Sequence, residues 1–272
     1  MPLPRVLWLP ILYGIVLNTR PARSAEKYAL IWTPDGSPLA VHTARQTELL
    51  RSSLTEFRIE YAMRYGTPSI ASGLEKLRAC ESVVVVPLYP QYSDSATGSV
   101  IDLLNGKNTV AVTSFHDHPA YIGALSSSVR RFWEKNGPAK KLLMSFHGLP
   151  KRGAEVYERQ CLATARLLAE KLHLKDGTWQ VTFQSRFGFA KWLEPYTQPT
   201  LVALARSGVS EVDVVCPGFV SDCLETLEEI GITAREAFLA AGAKELRLIP
   251  CLNESPEWIA ALAEISKKKF SK

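Results

Sequence analysis

The stretch KKLLMSFHGLP, residues 140–150, contains a short apolar run that ends in a histidine. Four of the five residues from 142 to 146 are apolar, which is typical of a strand covered on both faces of a sheet. Gly148 and Pro150 interrupt the pattern directly afterwards. The sequence therefore predicts a buried strand with His147 at its carboxyl end.

Similar short runs recur along the chain, separated by longer segments of helical period. The further predicted strands are FRIEYAM (57–63), SVVVVPL (82–88), NTVAVTSF (108–115), WQVTFQS (179–185), EVDVVC (211–216) and ELRLIPC (245–251). Ser37 with Pro38 predicts one helix start, and residues 197–199 predict another. Gly208 and Gly242 lie where helices end. This repeated order of strand and helix predicts parallel sheets in an α/β doubly wound fold.

The chain length of 272 residues exceeds the usual single-domain size of roughly 100–150 residues, so one large or two modest domains are expected. We place a boundary near residues 135–140, with comparable numbers of strands on either side. This gives a first lobe at 1–138, a second lobe at 139–253 and a C-terminal helix at 254–272. No G-x-G-x-x-G or P-loop motif is present, so dinucleotide or P-loop nucleotide binding has no support.

The composition indicates the class of protein and the partners to expect. Hydrophobic residues make up 46% of the chain and charged residues 22%, which is ordinary for a soluble globular protein. The net charge of +5 is mild, and the basic tail at residues 266–272 lacks the interleaved aromatics of a nucleic-acid site, so nucleic acid is not an expected partner. Five cysteines without dense spacing favour a reducing compartment over a secreted disulfide framework.

An apolar stretch, VLWLPILYGIVL, occupies residues 6–17. It is too short to span a bilayer, which needs about 20 apolar residues. A signal peptide is one interpretation, because small residues follow the stretch. Arg20 and Arg23 argue against it, since a cleavage region is normally uncharged.

Ligands of open α/β sheets bind outside the carboxyl ends of the strands, so His147 is the first candidate. It is either a histidine that caps a strand end through a neighbouring carbonyl or a catalytic base or metal ligand. His116 and His118 are interpreted as turn residues around Asp117. The remaining histidines, His42 and His173, are predicted to be surface groups without partners.

Two carboxylates follow the strand at residues 211–216. Asp222 and Glu225 have the spacing of a capping box, in which each bonds the other's backbone amide. The same helix start faces the ligand crevice, so either residue is also a candidate for the site. The spacing leaves both interpretations open.

Aromatic residues are frequent in the same strand-end loops. They are Tyr89, Tyr92, Phe187, Phe189, Trp192 and Phe219. Such side chains need a cover, which is either a large flat apolar ligand or a contact between the lobes.

Several of these segments together resemble one enzyme family. SFHGLP, TFQSRFG with KWLEPYT, and CPGFVSDCLETLEEI are similar to the signature segments of ferrochelatases, which insert ferrous iron into protoporphyrin IX. The resemblance also covers GSPL, MRYG and PLYPQYS, runs from about residue 2 to about residue 265, and is nearest the bacterial branch. It implies two Rossmann-like lobes around a porphyrin cleft, with the C-terminal helix packed on the first lobe.

The resemblance also implies roles for individual residues. His147 and Glu225 would be catalytic and would hold Fe²⁺ in transit, while Asp222 would extend the polar path from them. The residues expected to line the porphyrin cleft are Trp192 and Phe219 in the second lobe and Ser37, Arg64, Tyr65, Tyr89 and Tyr92 in the first. The apolar stretch would form a lip that contacts a membrane surface peripherally, and no cofactor beyond the substrate Fe²⁺ would be required.

The resemblance fails at one point and leaves another open. Family members begin with a strand and an N-L-G-T-P loop that precede the position of Met1, which suggests either a start codon assigned too late or a degenerate chelatase. Some ferrochelatases carry a 2Fe–2S cluster, for which Cys161, Cys216, Cys223 and Cys251 are candidate ligands. The alternative is that these thiols are buried and unreactive, as expected for Cys80.

The favoured function is therefore iron insertion into protoporphyrin IX, the last step of haem synthesis. Two alternatives are a non-catalytic tetrapyrrole or haem carrier and a chelatase for another metal or tetrapyrrole.

Overall fold

The computed structural model describes residues 9, 13, 17–104, 108–188 and 190–268. In the first half the elements are α1 (Leu17–Ala29), α2 (Pro38–Ser53), α3 (Ile70–Lys76), β1 (Val83–Val85), a π-helical turn (Asp94–Gly98), α4 (Ser99–Ile101), β2 (Thr109–Ala111) and α5 (Pro119–Asn136). The second half contains β3 (Lys141–His147), α6 (Glu155–Leu172), β4 (Trp179–Gln184), α7 (Thr197–Arg206) and β5 (Glu211–Val215). It continues with α8 (Leu224–Leu227), a second π-helical turn (Glu229–Ala234), α9 (Arg235–Ala240), β6 (Glu245–Leu248) and α10 (Pro256–Lys267).

The strands form two parallel sheets. β1 pairs with β2, and the second sheet has the order β4–β3–β5–β6. The predicted α/β class with parallel pairing is confirmed. Because β3 lies between β4 and β5, the carboxyl ends of these three strands meet at one edge, where His147 ends β3.

The first half differs from the sequence prediction. Residues 57–63 do not form a strand; the only ladder contact among the described residues of this stretch is a single bridge from Met63 to Ser69. The carbonyl of Ile59 instead accepts a hydrogen bond from Arg51 Nε at 2.8 Å. Phe57 and Ile59 still pack against the main core, so their alternating pattern reflects burial rather than pairing. The described part of the first half therefore has two strands against four in the second, fewer than the comparable numbers expected from the sequence.

The main hydrophobic core crosses the predicted boundary near residue 138. It joins Leu50 and Phe115 from the first half to Phe146 on β3 and Trp258 on α10. The rings of Phe115 and Trp258 lie 5.8 Å apart, with Tyr121 in edge contact with both. Burying a large side chain contributes about 1.5–3 kcal/mol, so this cluster holds α10 against α5 and α2.

The helix starts predicted from the sequence agree with the structure at α2 and at α7, which begins at Thr197. Ser37 caps α2, accepting from Ala40 N at 3.4 Å, and Pro38 is its first residue. At α7 the N-cap position is Tyr196, and Thr197 is buried inside the sheet–helix interface. Gly208 and Gly242 follow α7 and α9 with φ of 90° and 99°, as helix ends require.

Among the described helices, none has the length and hydropathy needed to cross a bilayer. Most of the apolar stretch at residues 6–17 lies outside the described residues, as do the basic residues beyond 268.

Candidate active site

His147 is half-buried at the carboxyl edge of the larger sheet. Its Nδ1 lies 2.6 Å from the carbonyl oxygen of Gly148. A carbonyl can only accept, so in the neutral imidazole Nδ1 carries the proton and Nε2 holds a free lone pair. The strand-cap interpretation is therefore correct for Nδ1, and it leaves Nε2 available as a base or metal ligand.

The backbone around His147 is packed closely. A Cβ on Gly148 would lie 2.6 Å from the Gln184 carbonyl oxygen and 3.2 Å from Trp192 Cε3, so only glycine fits. The ring of Phe219 lies 6.3 Å from the imidazole, between centroids. Trp192 and Phe219, both expected to line the cleft, thus adjoin His147.

Trp192 also has an unusual polar group. Its indole Nε1 is buried and has no hydrogen-bond partner among the described residues. A buried donor without a partner costs about 1–3 kcal/mol, and a bound molecule with an acceptor atom would satisfy it.

Glu225 lies on α8, a single helical turn. Cys223 and Thr226 form the capping box, in which Thr226 Oγ1 accepts from Cys223 N at 3.0 Å. Asp222 and Glu225 do not form it. The helix begins one residue later than the spacing implied, so Cys223 is the N-cap. The carboxylate of Glu225 is therefore free of capping, and it forms no ion pair with the described residues.

Asp222, by contrast, is fully bonded. Its Oδ2 accepts from Asn253 Nδ2 at 2.7 Å, and its Oδ1 accepts from Thr226 Oγ1 at 3.0 Å and from Cys251 N at 3.4 Å. Asn253 Oδ1 in turn accepts from Asp222 N at 2.9 Å. Only 5% of Asp222 is exposed, so its carboxylate fixes the turn before Glu225.

The first half approaches this edge through Tyr89 and Arg64. Tyr89 is 39% exposed, yet burial of its hydroxyl raises its pKa, with Tyr65 and Glu225 adding to the rise and Arg64 opposing it. A tyrosine with an exposed ring and a partly buried hydroxyl is expected in the wall of an open cleft. Arg64 donates to Ser99 Oγ at 3.0 Å and lies 4.5 Å from the ring centre of Tyr65.

The other candidate residues of the cleft are less available for contact with a ligand. The Ser37 hydroxyl is occupied in capping α2. Tyr92 donates to Asp94 Oδ1 at 2.9 Å, and this bond raises the pKa of Tyr92. Phe187 is 56% exposed, and Phe189 lies outside the described residues.

Sequence reasoning missed two groups that reach the Glu225 turn. Gln184 Nε2 donates to the Glu225 carbonyl at 2.6 Å, and Lys27 on α1 forms a 2.8 Å ion pair with buried Glu228. Gln184 lies at the carboxyl end of the predicted strand 179–185, where ligands of α/β sheets bind, so the sequence could have identified it. Nothing in the sequence around Lys27 indicates its partner, since 201 residues separate the two.

The remaining histidines are mostly structural. His116 lies in a turn, and His118 is the N-cap residue of α5. His173 is exposed and ends α6 with φ of 57°. His42 has a partner, contrary to the prediction: its Nδ1 lies 2.8 Å from Glu254 Oε1.

The four candidate cluster cysteines, Cys161, Cys216, Cys223 and Cys251, are buried. Burial is the largest cause that raises the pKa of each thiol, so the protonated form is favoured while no metal is bound. In the described ranges, no three His, Cys, Asp or Glu side chains gather in a way that could hold a metal ion. The four-cysteine cluster stays a prediction.

Solved structures define the class of this fold. CbiX, the terminal enzyme for biosynthesis of siroheme in denitrifying bacteria, superposes with a TM-score of 0.59 at 14% identity, covering 86% of this chain and 94% of its own. SirB from Bacillus subtilis with Fe³⁺ gives 0.57 at 14% identity, covering 85% and 92%. At this identity the likeness concerns the fold alone. The chain has a chelatase-type α/β fold.

Sequence comparison then gives the family. The family model described as Ferrochelatase matches residues 1–270. Ferrochelatases of Aromatoleum aromaticum and Azoarcus sp. are 54% and 56% identical over 98% and 96% of this chain, covering 78% and 76% of their own length. The ferrochelatase of Bordetella pertussis is 49% identical over 98% of this chain and 79% of its own length. The chain belongs to the ferrochelatase family and is an enzyme of the metal chelatase, lyase, class.

Proposed function

We propose that this protein inserts Fe²⁺ into protoporphyrin IX to give protohaem. The observation that carries the proposal is the free Nε2 lone pair of His147 beside Trp192 and Phe219, in a chain of the ferrochelatase family. A tetrapyrrole carrier needs the aromatic wall but has no need of a base aimed into it. The carrier alternative is therefore not favoured.

The ring-binding part of the mechanism rests on the wall beside His147. Protoporphyrin hides its nitrogen lone pairs while it is planar. Contacts with Trp192 and Phe219 would hold it bent, at a strain of roughly 1–5 kcal/mol, so that a pyrrole lone pair becomes accessible. Tyr89, Arg64 and Tyr65 would contact the porphyrin from the first half. Ser37 would contribute as a hydrogen-bond donor, because its hydroxyl oxygen only accepts from Ala40 N, and Tyr92 would contribute its ring, because its hydroxyl donates to Asp94.

Proton transfer follows from the tautomer of His147. Two N–H protons must leave the porphyrin before iron occupies its centre, and Nε2 is the acceptor because Nδ1 is already bonded to Gly148. The Glu225 carboxylate, free of capping and ion pairing within the described chain, would take up the proton or attract Fe²⁺. Nitrogen and oxygen donors both suit ferrous iron, and a site with only these two donors would release it readily.

Asp222 enters this proposal as the residue that holds the Glu225 turn. Each of its carboxylate oxygens already accepts a hydrogen bond, so a role as mobile proton carrier has less support than the sequence resemblance implied.

We also propose a cytoplasmic location with peripheral membrane contact. Apolar side chains are exposed in and after α1, among them Leu30 at 63% and Trp32 at 58%. Adjacent exposed apolar groups of this kind favour contact with an interface or with a greasy substrate.

The test uses anaerobic protein with protoporphyrin IX and either Fe²⁺ or Zn²⁺, followed by porphyrin absorbance. We expect metallation by the wild type and at least a hundredfold lower rate for His147→Ala, in the range of about 10²–10⁴ for loss of a general base. The matched control is His173→Asn, since this exposed position has a left-handed φ that asparagine tolerates. Porphyrin binding without metallation by the wild type would instead indicate a carrier.

A further inference from the structure

Gln184 lies directly beside His147, at the carboxyl end of β4. The two residues are register partners in the parallel pair β3–β4, and Gly148 N donates to the Gln184 carbonyl at 2.7 Å. Only 4% of Gln184 is exposed. Its backbone is therefore fixed to the strand end that carries the imidazole.

The side-chain amide of Gln184 points the other way, towards Glu225. Its Nε2 donates to the Glu225 carbonyl at 2.6 Å, and its Oε1 accepts from Ser145 Oγ at 2.7 Å. A carbonyl cannot donate, so the NH₂ group must face Glu225 and the orientation of the amide is determined. Ser145 is itself held by Thr197 Oγ1 at 2.8 Å.

The Glu225 turn needs such an external contact. α8 is only one turn long and leads directly into a π-helical turn, so few of its own hydrogen bonds hold it in place. Ser185, the next residue after Gln184, adds a second contact, because its N and Oγ both donate at 2.6 Å to Glu229. The end of β4 thus joins the imidazole strand to the carboxylate turn.

We propose that Gln184 is a positioning residue that sets the separation between the His147 imidazole and the Glu225 carboxylate. This inference rests on the proposed function of those two groups. Loss of the Gln184 amide would let the Glu225 turn shift relative to β3 while the aromatic wall of Trp192 and Phe219 stays in place. Chemistry would slow, and porphyrin binding would not weaken.

The experiment compares Gln184→Met with Gln180→Met. Methionine keeps the length of the side chain and removes its donor and acceptor, and Gln180 is half-buried on the same face of β4. With Zn²⁺ or Fe²⁺ and protoporphyrin, we expect kcat of Gln184→Met to fall about ten- to a hundredfold, the scale of a small misplacement of reacting groups. The KM for porphyrin should stay within about twofold, and Gln180→Met should match the wild type.

The outcomes separate this inference from the proposed function. A wild type that does not metallate porphyrin would refute the function itself. An active wild type with kcat retained in Gln184→Met would refute the positioning role, as would equal losses of kcat and porphyrin affinity with a lowered Tm. If Gln184→Met does not fold, Ser145→Ala replaces it: a fall in kcat on the order of threefold supports the role, and an unchanged kcat overturns it.

Discussion

Two acidic residues of the larger sheet differ in their surroundings: Asp213 lies on β5, and Glu225 lies just beyond the carboxyl edge. On β5, Asp213 is 0% exposed and accepts from Arg247 Nε and Nη2, Trp133 Nε1 and Ala139 N at 2.7–3.1 Å. Beyond the edge, the carboxylate of Glu225 is half-buried and has no ion pair within the described chain.

The difference is the one expected between a structural acid and the acid that we propose to act in the reaction. Arg247 also donates to the carbonyls of Asn136 and Gly137, so the Asp213 cluster holds the end of α5 and the connection between the halves. A carboxylate that accepts four hydrogen bonds, as Asp213 does, cannot take part in chemistry without breaking these contacts. A carboxylate such as Glu225, which forms no ion pair with the described residues, can.

The largest effect is expected for Asp213→Ala. Removing one partner of a buried ion pair leaves Arg247 Nε, Trp133 Nε1 and Ala139 N without their acceptor, which costs about 3–5 kcal/mol of the free energy of unfolding. Urea unfolding would measure it. Asp35→Ala is the control, because its pair with Arg45 is exposed and should contribute less than about 1 kcal/mol. Equal effects of the two substitutions would contradict the comparison.

Glu225→Gln should show the reverse pattern. We expect the rate of metallation to fall about a hundredfold, roughly 2.7 kcal/mol in transition-state stabilisation, since the group proposed to take up a proton or attract iron is lost. The free energy of unfolding should change by less than about 0.5 kcal/mol, because no described ion pair is broken. Glu236→Gln, exposed on α9, serves as control. A large loss of stability would place Glu225 among the structural acids.

Asp222→Ala tests a case between Asp213 and Glu225. Asp222 lies close to Glu225 in sequence, but its carboxylate is hydrogen-bonded like that of Asp213. It should cost about 1–3 kcal/mol of stability, since Asn253 Nδ2 and Thr226 Oγ1 lose their acceptor. Any loss of activity should follow from displacement of the Glu225 turn. A variant with unchanged unfolding and abolished metallation would show that Asp222 acts in catalysis directly.

The smallest effect concerns pH. Burial lowers the pKa of His116, with Asp117 opposing the shift. The ordinary pKa of histidine is about 6.5. Below that pH the imidazole of His116 is protonated in the unfolded chain but not yet in the folded chain. The free energy of unfolding therefore decreases as the pH falls through and below that value. Unfolding of the wild type and of His116→Gln at pH 7.5 and 5.5 would measure this. Identical pH dependence in the two proteins would exclude His116 as a contributor.

Much of the second half was predictable, and less of the first. Strands at 140–146, 179–185, 211–216 and 245–251 were identified because each is a short apolar run with clear ends. The run at 57–63 was misassigned, since alternation reports burial of Phe57 and Ile59 and cannot report whether a neighbouring strand exists.

For the site, the strand-end rule located His147, and only the structure showed how it is held. The capping-box spacing of Asp222 and Glu225 gave the wrong pair because helix ends shift by a residue without changing the pattern. His42 was expected to be free, and its partner Glu254 lies 212 residues away.

The sequence by itself determined that parallel strands alternate with helices and that an imidazole ends the central strand. Both follow from local periodicity and turn residues, which act over a few neighbours in the chain. Only the tertiary structure decided that the Asp213 carboxylate is held by hydrogen bonds while Glu225 forms no ion pair with the described residues. It also decided that Gln184 donates to the Glu225 carbonyl. Those properties depend on hydrogen bonds between residues far apart in sequence, and no local pattern specifies such a partner.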